Sequence, residues 1–235
     1  MTKAETNRLG DRLRLQEFNA ETFQQLDEFR LSYYVAIKLV ADKLQAIENL
    51  SFSQRPSKST PSIVAKLIRQ PTLKLSQIQD IAGLRVIAKD VLEQELFLNQ
   101  VKARFVNHKL YDRRLKPSHG YRAVHLVVVE SGKSVEIQIR TVLQHGWAQL
   151  SESIADVVGH DFKHGGGVAE FRDYLNHLSL TIEKHEERVK HIHANKPQTN
   201  EVFTLLILEY SGLIAQLSSN FNTMSNIRNY IGGTQ

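Results

Sequence analysis

Two acids in this 235-residue chain invite a chemical reading, one at a strand end where it could hold a metal ion and one on the polar face of a strand. Asp80 opens the apolar, β-prone run "DIAGLRVIA" (Asp80–Ala88). An acid at a strand end near a phosphate-binding loop suits Mg2+, which takes a few carboxylates and completes its shell with phosphate oxygens. Taken alone, such an acid is more often a cap or turn residue. Glu136 lies in "SVEIQIR", where Val135, Ile137 and Ile139 alternate with Glu136, Gln138 and Arg140. Strict alternation of this kind is a strand with one buried face, and in an antiparallel sheet the polar face ordinarily meets water. Arg55, Lys58, Lys66 and Arg69 sit in and just after a Ser-rich turn that opens a helix near Ser62. Loop amides, a helix N-terminus and several cations together can cradle a polyphosphate. No "GxxxxGK" is present, so this is not a Walker loop, and a solvated basic loop fits the same residues. "KPSHGYRAVH" places Lys116, His119, Tyr121, Arg122 and His125 around a turn leading into a strand. A ring among cations can stack a base and neutralise its phosphates, although a half-buried tyrosine at a strand start reads equally well. His185, His191 and His193 fall on a charged helix and read as solvated surface.

The elements that must carry these groups follow from periodicity. Asn19–Asn49 repeats Phe23, Leu26, Phe29, Tyr33, Ile37, Val40 and Leu44 at steps of three or four, which predicts one helix. "SFSQRPSKSTPS" breaks it, and "SIVAKLIRQ" predicts a short helix with Thr60 as cap and Pro61 in the first turn. A strand over Asp80–Ala88, a helix over Val91–Arg104 and a strand near Phe105–Tyr111 come next. Strands over Tyr121–Glu130 and Lys133–Arg140 follow, joined by a tight Ser-Gly turn. The period then becomes helical through Trp147 to about Asp156. "GHDFKHGGG" reads as a loop, and two long helices, about Val168–Ala194 and Glu201–Tyr230, are divided at "NKPQTN".

Composition narrows the partners. The chain is 41% hydrophobic and carries a formal net charge of +5, a mild basic excess that suits nucleotides or RNA. With no cysteine, disulfides, zinc knuckles and thiol chemistry are excluded. No apolar run is expected to reach membrane-spanning length, and the N-terminus lacks a secretion signal's apolar core, so a cytoplasmic protein is expected.

Taken in order, "RPSKSTPSIVAKLIR", "IQDIAGLRVI", "KPSHGYRAVH", "VEIQIRT" and "WAQL" resemble the synthetase domain of the RelA/SpoT family, the alarmone synthetases. The resemblance covers about Phe23 to Ala155. It implies an α+β fold: a nucleotidyltransferase-like mixed β-sheet flanked by helices. N-terminal helices (1–50), a pyrophosphokinase core (51–160) and a C-terminal helical hairpin (161–235) would form one compact domain. It also implies transfer of the β,γ-pyrophosphate of ATP to the 3′-hydroxyl of GDP or GTP, with Mg2+. By position, Lys58, Ser62, Lys66 and Arg69, assisted by Arg55, would hold ATP, and Asp80 and Glu136 the metal. Glu136 would also help deprotonate the hydroxyl. Tyr121 would stack the acceptor base, with Lys116, His119, Arg122, His125, Gln138 and Arg140 around it.

Only a short helical segment precedes the match, so no hydrolase domain is expected. Toxic relatives pyrophosphorylate the 3′ CCA end of tRNA, and Lys109, Arg113, Arg114, Lys116 and Arg122 would suit an RNA arm. The family helix continues "WA-x-x-E-H", whereas this chain reads "WAQLSE", with Glu152 beside the acceptor site. The C-terminal helices would pack on the core, support a homo-oligomer or dock a neutralising antitoxin.

Overall fold

The computed structural model describes residues 1–55, 57–159, 168–195 and 200–232. Helices α1 (Lys3–Arg14), α2 (Ala20–Leu31), α3 (Tyr34–Gln45), α4 (Thr60–Arg69), α5 (Val91–Arg104), α6 (Val142–Val158), α7 (Ala169–Asn195) and α8 (Asn200–Gly232) accompany five strands. These are β1 (Phe52–Gln54), β2 (Gly83–Ala88), β3 (His108–Asp112), β4 (Val124–Glu130) and β5 (Lys133–Thr141). They form one mixed sheet in the order β1-β2-β5-β4-β3, with β1 antiparallel to β2. β4 and β5 are joined at Ser131–Gly132, where φ values of +46° and +72° mark the two-residue hairpin turn that "SG" predicts.

The chain divides into two compact units. The first comprises Met1–Val86, Gln100–Leu110 and His125–Gln138; the second comprises Ile87–Asn99, Tyr111–Val124 and Ile139–Gln235. In the first, Leu9, Leu13, Leu26, Leu44, Ile63, Leu67 and Leu75 are wholly buried. α1 opens on a capping box, Thr2 with Glu5, and Gly10 lets it lie flat on Leu75, whose Cβ a methyl at that position would meet at 2.7 Å. In the second unit, Leu143, Trp147, Ile154, Leu175, Leu178, Ile182, Leu213, Leu217 and Met224 form a continuous core of α6, α7 and α8. Thr141 caps α6 in a capping box with Gln144.

Several expectations change. The single helix over 19–49 is two, because the Ser32 hydroxyl donates to the Phe29 carbonyl (2.6 Å) and closes the first helix there. The buried stripe crosses the break intact through Leu26, Phe29, Tyr33, Ile37 and Val40, whereas Phe23 is outside the core and stacks on Phe18. Ser59, not Thr60, caps α4, its side chain accepting from the Ser62 amide. β2 starts at Gly83, leaving Asp80 in the preceding turn, β3 starts at His108, and Tyr121 precedes β4. His185 is buried, not solvated, with Nδ1 2.9 Å from a Glu209 oxygen, because it sits where α7 meets α8. Glu201–Ile227 of α8 is, by length and composition, apolar enough to cross a membrane, contrary to expectation, since polar residues are spread thinly along it. Along α8, Leu213 and Leu217 are buried while Leu205 and Leu208 are exposed. Most of "GHDFKHGGG" and of "NKPQTN" lies outside the described residues.

Candidate active site

In the first unit the short segment Ile81–Gly83 is a backbone template. Its carbonyls accept from Lys58 N (Ile81, 2.9 Å), Glu136 N (Ala82, 3.1 Å) and Arg55 N (Gly83, 3.0 Å). A side chain at Gly83 would lie 2.8 Å from the Glu136 carbonyl, so only glycine lets the chains approach this closely. From α2, Arg30 donates to the Lys58 carbonyl (3.0 and 3.2 Å) and to the Thr60 hydroxyl (2.8 Å), which fixes the loop entering α4. The loop cations and the β5 acid are thus set by main-chain hydrogen bonds rather than by their own flexible stems.

The side chains then pair. Lys58 Nζ and Lys66 Nζ donate to the two oxygens of Asp80, at 2.9 and 2.8 Å. Glu136 accepts from Arg55 (2.6 Å) and Gln138 Nε2 (2.7 Å) on one oxygen and lies 2.8 Å from His125 Nδ1 on the other. Burial would raise the pKa of Asp80, but the charges of Lys58 and Lys66 overcome it and hold the carboxyl at about 2. Burial also opposes the charge on Glu136; the His125 hydrogen bond and the charges of His125 and Arg55 win, again giving about 2, with Asp80 pushing upward. Both acids are therefore ionised at any physiological pH.

This donor set fits a hard divalent cation. Two ionised carboxylates share one electrostatic neighbourhood, and the Gln138 side-chain oxygen is buried with no hydrogen-bond partner. Only its amide nitrogen can donate to Glu136, so that oxygen must face elsewhere. Among the described residues no group of three or more His, Cys, Asp or Glu could hold a metal, so an ion here would draw its remaining ligands from phosphate and water. Ser62 is exposed at the start of α4, and Arg69, exposed at its end, makes no polar contact with this cluster.

The second unit builds a different kind of site. Ser118 and Tyr121 pair across His119–Gly120, whose φ values of +51° and +82° form a tight two-residue turn. The turn delivers Tyr121 to a cavity of about 270 Å3, bordered by His119, Trp147, Glu152, Arg172 and Asn176. The Tyr121 and Trp147 rings lie 6.4 Å apart, and Arg140 donates to the Tyr121 hydroxyl at 2.8 Å with its guanidinium carbon 5.1 Å from the ring centroid. Arg140 is 4% exposed and its Nε has no hydrogen-bond partner.

Two residues expected beside Tyr121 have partners of their own. His125 binds Glu136 in the first unit. Arg122 is buried, and its three nitrogens serve Ser179 (3.1 Å), the Arg114 carbonyl (2.7 Å) and Glu183 (2.6 Å), because α7 packs directly over it. Lys116 is exposed. The basic cluster thins in the same way. Arg114 is bound to Asp112, Gln94 and Glu95, leaving Lys109, Arg113 and Lys116 as its exposed members.

Residues 55–156 match the region found in RelA and SpoT proteins. The GTP pyrophosphokinase YwaC of Bacillus subtilis is 33% identical over 150 residues, which cover 54% of this chain and 70% of that protein. The chain belongs to the RelA/SpoT family. An uncharacterised Mycobacterium tuberculosis protein is 38% identical over 135 residues, 54% of this chain and 50% of its own length, so the chain spans about half of that relative. Small alarmone synthetase 1 of B. subtilis, solved with its product pppGpp, superposes with a TM-score of 0.59 at 24% identity. That match covers 73% of this chain and 98% of that one, a likeness of fold.

The family region ends before α7 begins, and α7 is where sequence reasoning missed site residues. Arg172 and Asn176 border the tyrosine cavity, and Leu175 accepts from Trp147 Nε1 at 2.8 Å. The apolar spacing of Leu175, Leu178 and Ile182 announces a packed helix. Nothing in it says against what.

Proposed function

We propose that this protein transfers the β,γ-pyrophosphate of ATP to the 3′-hydroxyl of a guanosine nucleotide, GDP or GTP, with Mg2+. The observation that carries the reading is the pair of ionised carboxylates, Asp80 and Glu136, set among Arg55, Lys58 and Lys66. Pyrophosphoryl transfer asks the protein mainly for position and charge: anions to hold a divalent ion, and cations to take up charge on the transferred group. Lys58, Lys66 and Arg55 serve the triphosphate, with Ser62 and Arg69 flanking it on α4. Asp80, Glu136 and the Gln138 oxygen hold the ion, which supplies charge neutralisation when bound.

In the reaction the acceptor O3′ forms a bond to the β-phosphorus, the bond to the oxygen bridging the α- and β-phosphates breaks, and AMP leaves with that oxygen. Glu136 accepts a hydrogen bond from the attacking hydroxyl. At a pKa of about 2 it is a better ion ligand than proton acceptor, so it orients the hydroxyl while the proton is released to water.

The acceptor base stacks on Tyr121. Glu152 favours guanine there, because a carboxylate accepts from guanine N1–H and N2–H2 together but repels the N1 lone pair of adenine. That contrast also weighs against the terminal adenosine of tRNA, as does the engagement of Arg114 and Arg122 within the protein.

The test incubates the protein with γ-labelled ATP, Mg2+ and, in parallel, GDP, GTP, AMP or bulk tRNA. Label is expected on GDP and GTP. Label on tRNA alone would replace the guanosine reading with a translation-blocking one, and intact ATP in every tube would remove the transferase reading.

A further inference from the structure

The turn that presents Tyr121 has no rigid support of its own: His119 and Gly120 both adopt positive φ, and Ser118 and Tyr121 close it through backbone hydrogen bonds of 3.0 and 3.4 Å. From outside, one hydroxyl reaches its backbone. Ser179 of α7 donates to the Gly120 carbonyl at 2.6 Å. Ser179 in turn accepts from Arg122 Nε at 3.1 Å, so its one proton is committed to the turn and cannot rotate away. Arg122 is itself immobilised by Glu183 (2.6 Å) and by the Arg114 carbonyl (2.7 Å). Ser179 and Arg122 are 3% and 7% exposed, so water does not compete for these bonds.

Packing reinforces the same point. A methyl group at Gly120 would lie 2.8 Å from the Trp147 ring, 3.1 Å from the Asn176 side chain and 3.3 Å from Ser179 Cβ. The turn is therefore seated between α6 and α7.

We infer that Ser179, oriented by the Arg122–Glu183 pair, is a positioning residue for the acceptor: α7, outside the RelA/SpoT region, fixes the angle at which Tyr121 meets the base. The inference rests on the reading of the Tyr121 cavity as the acceptor site. Ser179 touches no substrate, so its removal should loosen Tyr121 without touching the ATP residues of the first unit. This restricts the expected effect to acceptor binding.

Trp147 is the chain's one tryptophan and borders the cavity, so its fluorescence reports binding there without any turnover. Ser179→Ala should raise both the KM for GDP and the Kd from GDP quenching of Trp147 by about tenfold, the loss of one buried, oriented hydrogen bond. The KM for ATP and kcat at saturating GDP should stay within about twofold, and thermal unfolding should show a folded protein. Glu183→Gln keeps an acceptor for Arg122 but removes its charge; it should shift GDP binding in the same direction by about threefold, and it serves if Ser179→Ala does not fold. Unchanged GDP binding in the folded variants, or an equal rise in the KM for ATP, would overturn the inference while leaving the acceptor reading intact. Failure of GDP to quench Trp147 in the unsubstituted protein would overturn the acceptor reading, and this inference with it.

Discussion

The ion cluster of the first unit and the tyrosine cavity of the second are built on opposite economies of charge. Around Asp80 and Glu136 every formal charge has a partner within 3 Å, and the groups are placed by main-chain hydrogen bonds to Ile81–Gly83. Around Tyr121 the walls mix the Trp147 ring with Glu152, Arg172 and Asn176, and placement comes from a helix some 60 residues further along the chain. The first is a local, electrostatic device. The second is a long-range, packed one. They should accordingly fail in different ways.

Glu136→Gln should show the sharpest contrast. It keeps the shape of the ion cluster and removes one of its two anions, so transfer should fall by about a thousandfold or more while GDP still quenches Trp147. Comparable turnover in this variant would mean that the charge of Glu136 is not needed. Lys66→Ala should come next, with a loss of about thirtyfold in ATP affinity by calorimetry, the size of a charge-assisted phosphate contact, and little change for GDP. Tyr121→Ala should reverse that pattern, weakening GDP by about tenfold with ATP affinity retained, since a stacked base contributes about 1–3 kcal/mol. If both variants weakened both ligands alike, the division of labour would be wrong.

Smaller effects separate the two regions by stability. Gly120→Ala combines a positive φ with a 2.8 Å contact to Trp147, and should lower unfolding stability by about 2 kcal/mol in denaturant. The pH response should also differ in sign. Asp80 and Glu136 are held at about 2, so the stability they contribute is present above the ordinary carboxylate pKa and is lost as pH falls from about 4.5 towards 2. Glu186 of α7 behaves oppositely: burial raises its pKa, against the hydrogen bonds from Thr141 and Gln144. Its contribution is present below the ordinary carboxylate pKa and is lost as pH rises through the raised value. Glu186→Gln should remove that decline on the neutral side, and Asp80→Asn should soften the acid one; pH-dependent melting temperatures check both.

The same division explains what the amino-acid sequence disclosed. Glu136, Gln138 and Arg140 declared a strand by alternation, and α5 falls at Val91–Arg104 as periodicity predicts. Of the ion cluster, Lys66, Glu136 and Gln138 lie on regular elements whose spacing dictates direction, whereas Arg55, Lys58 and Asp80 lie in a loop and a turn and were grouped with them only by the family resemblance. Asp80 was assigned to a strand and lies in a turn, because a turn and a strand start share composition there. The cavity was half legible. "SHGY" announced a turn and a ring, but Ser179, Asn176 and Arg172 have no local signature: a serine on a helix face reads the same whether it meets water or a carbonyl. The partners of Arg122 and His125 were hidden for the same reason, since alternation assigns a face without saying which neighbour covers it. His185 shows the limit most plainly, being one of several histidines on a charged helix and the one that packing selects for burial.

The interlocked pairs around Asp80 and Glu136 have one more consequence. Each carboxylate is paired with an ammonium or guanidinium group. A bare divalent ion would have to evict those cations and leave them without counter-charge; a bare triphosphate would draw them away and strand two anions, one half-buried and one buried. Only a ligand bringing both signs at once lets every group exchange one partner for another. Metal and triphosphate are therefore expected to bind this cluster more tightly together than either does alone.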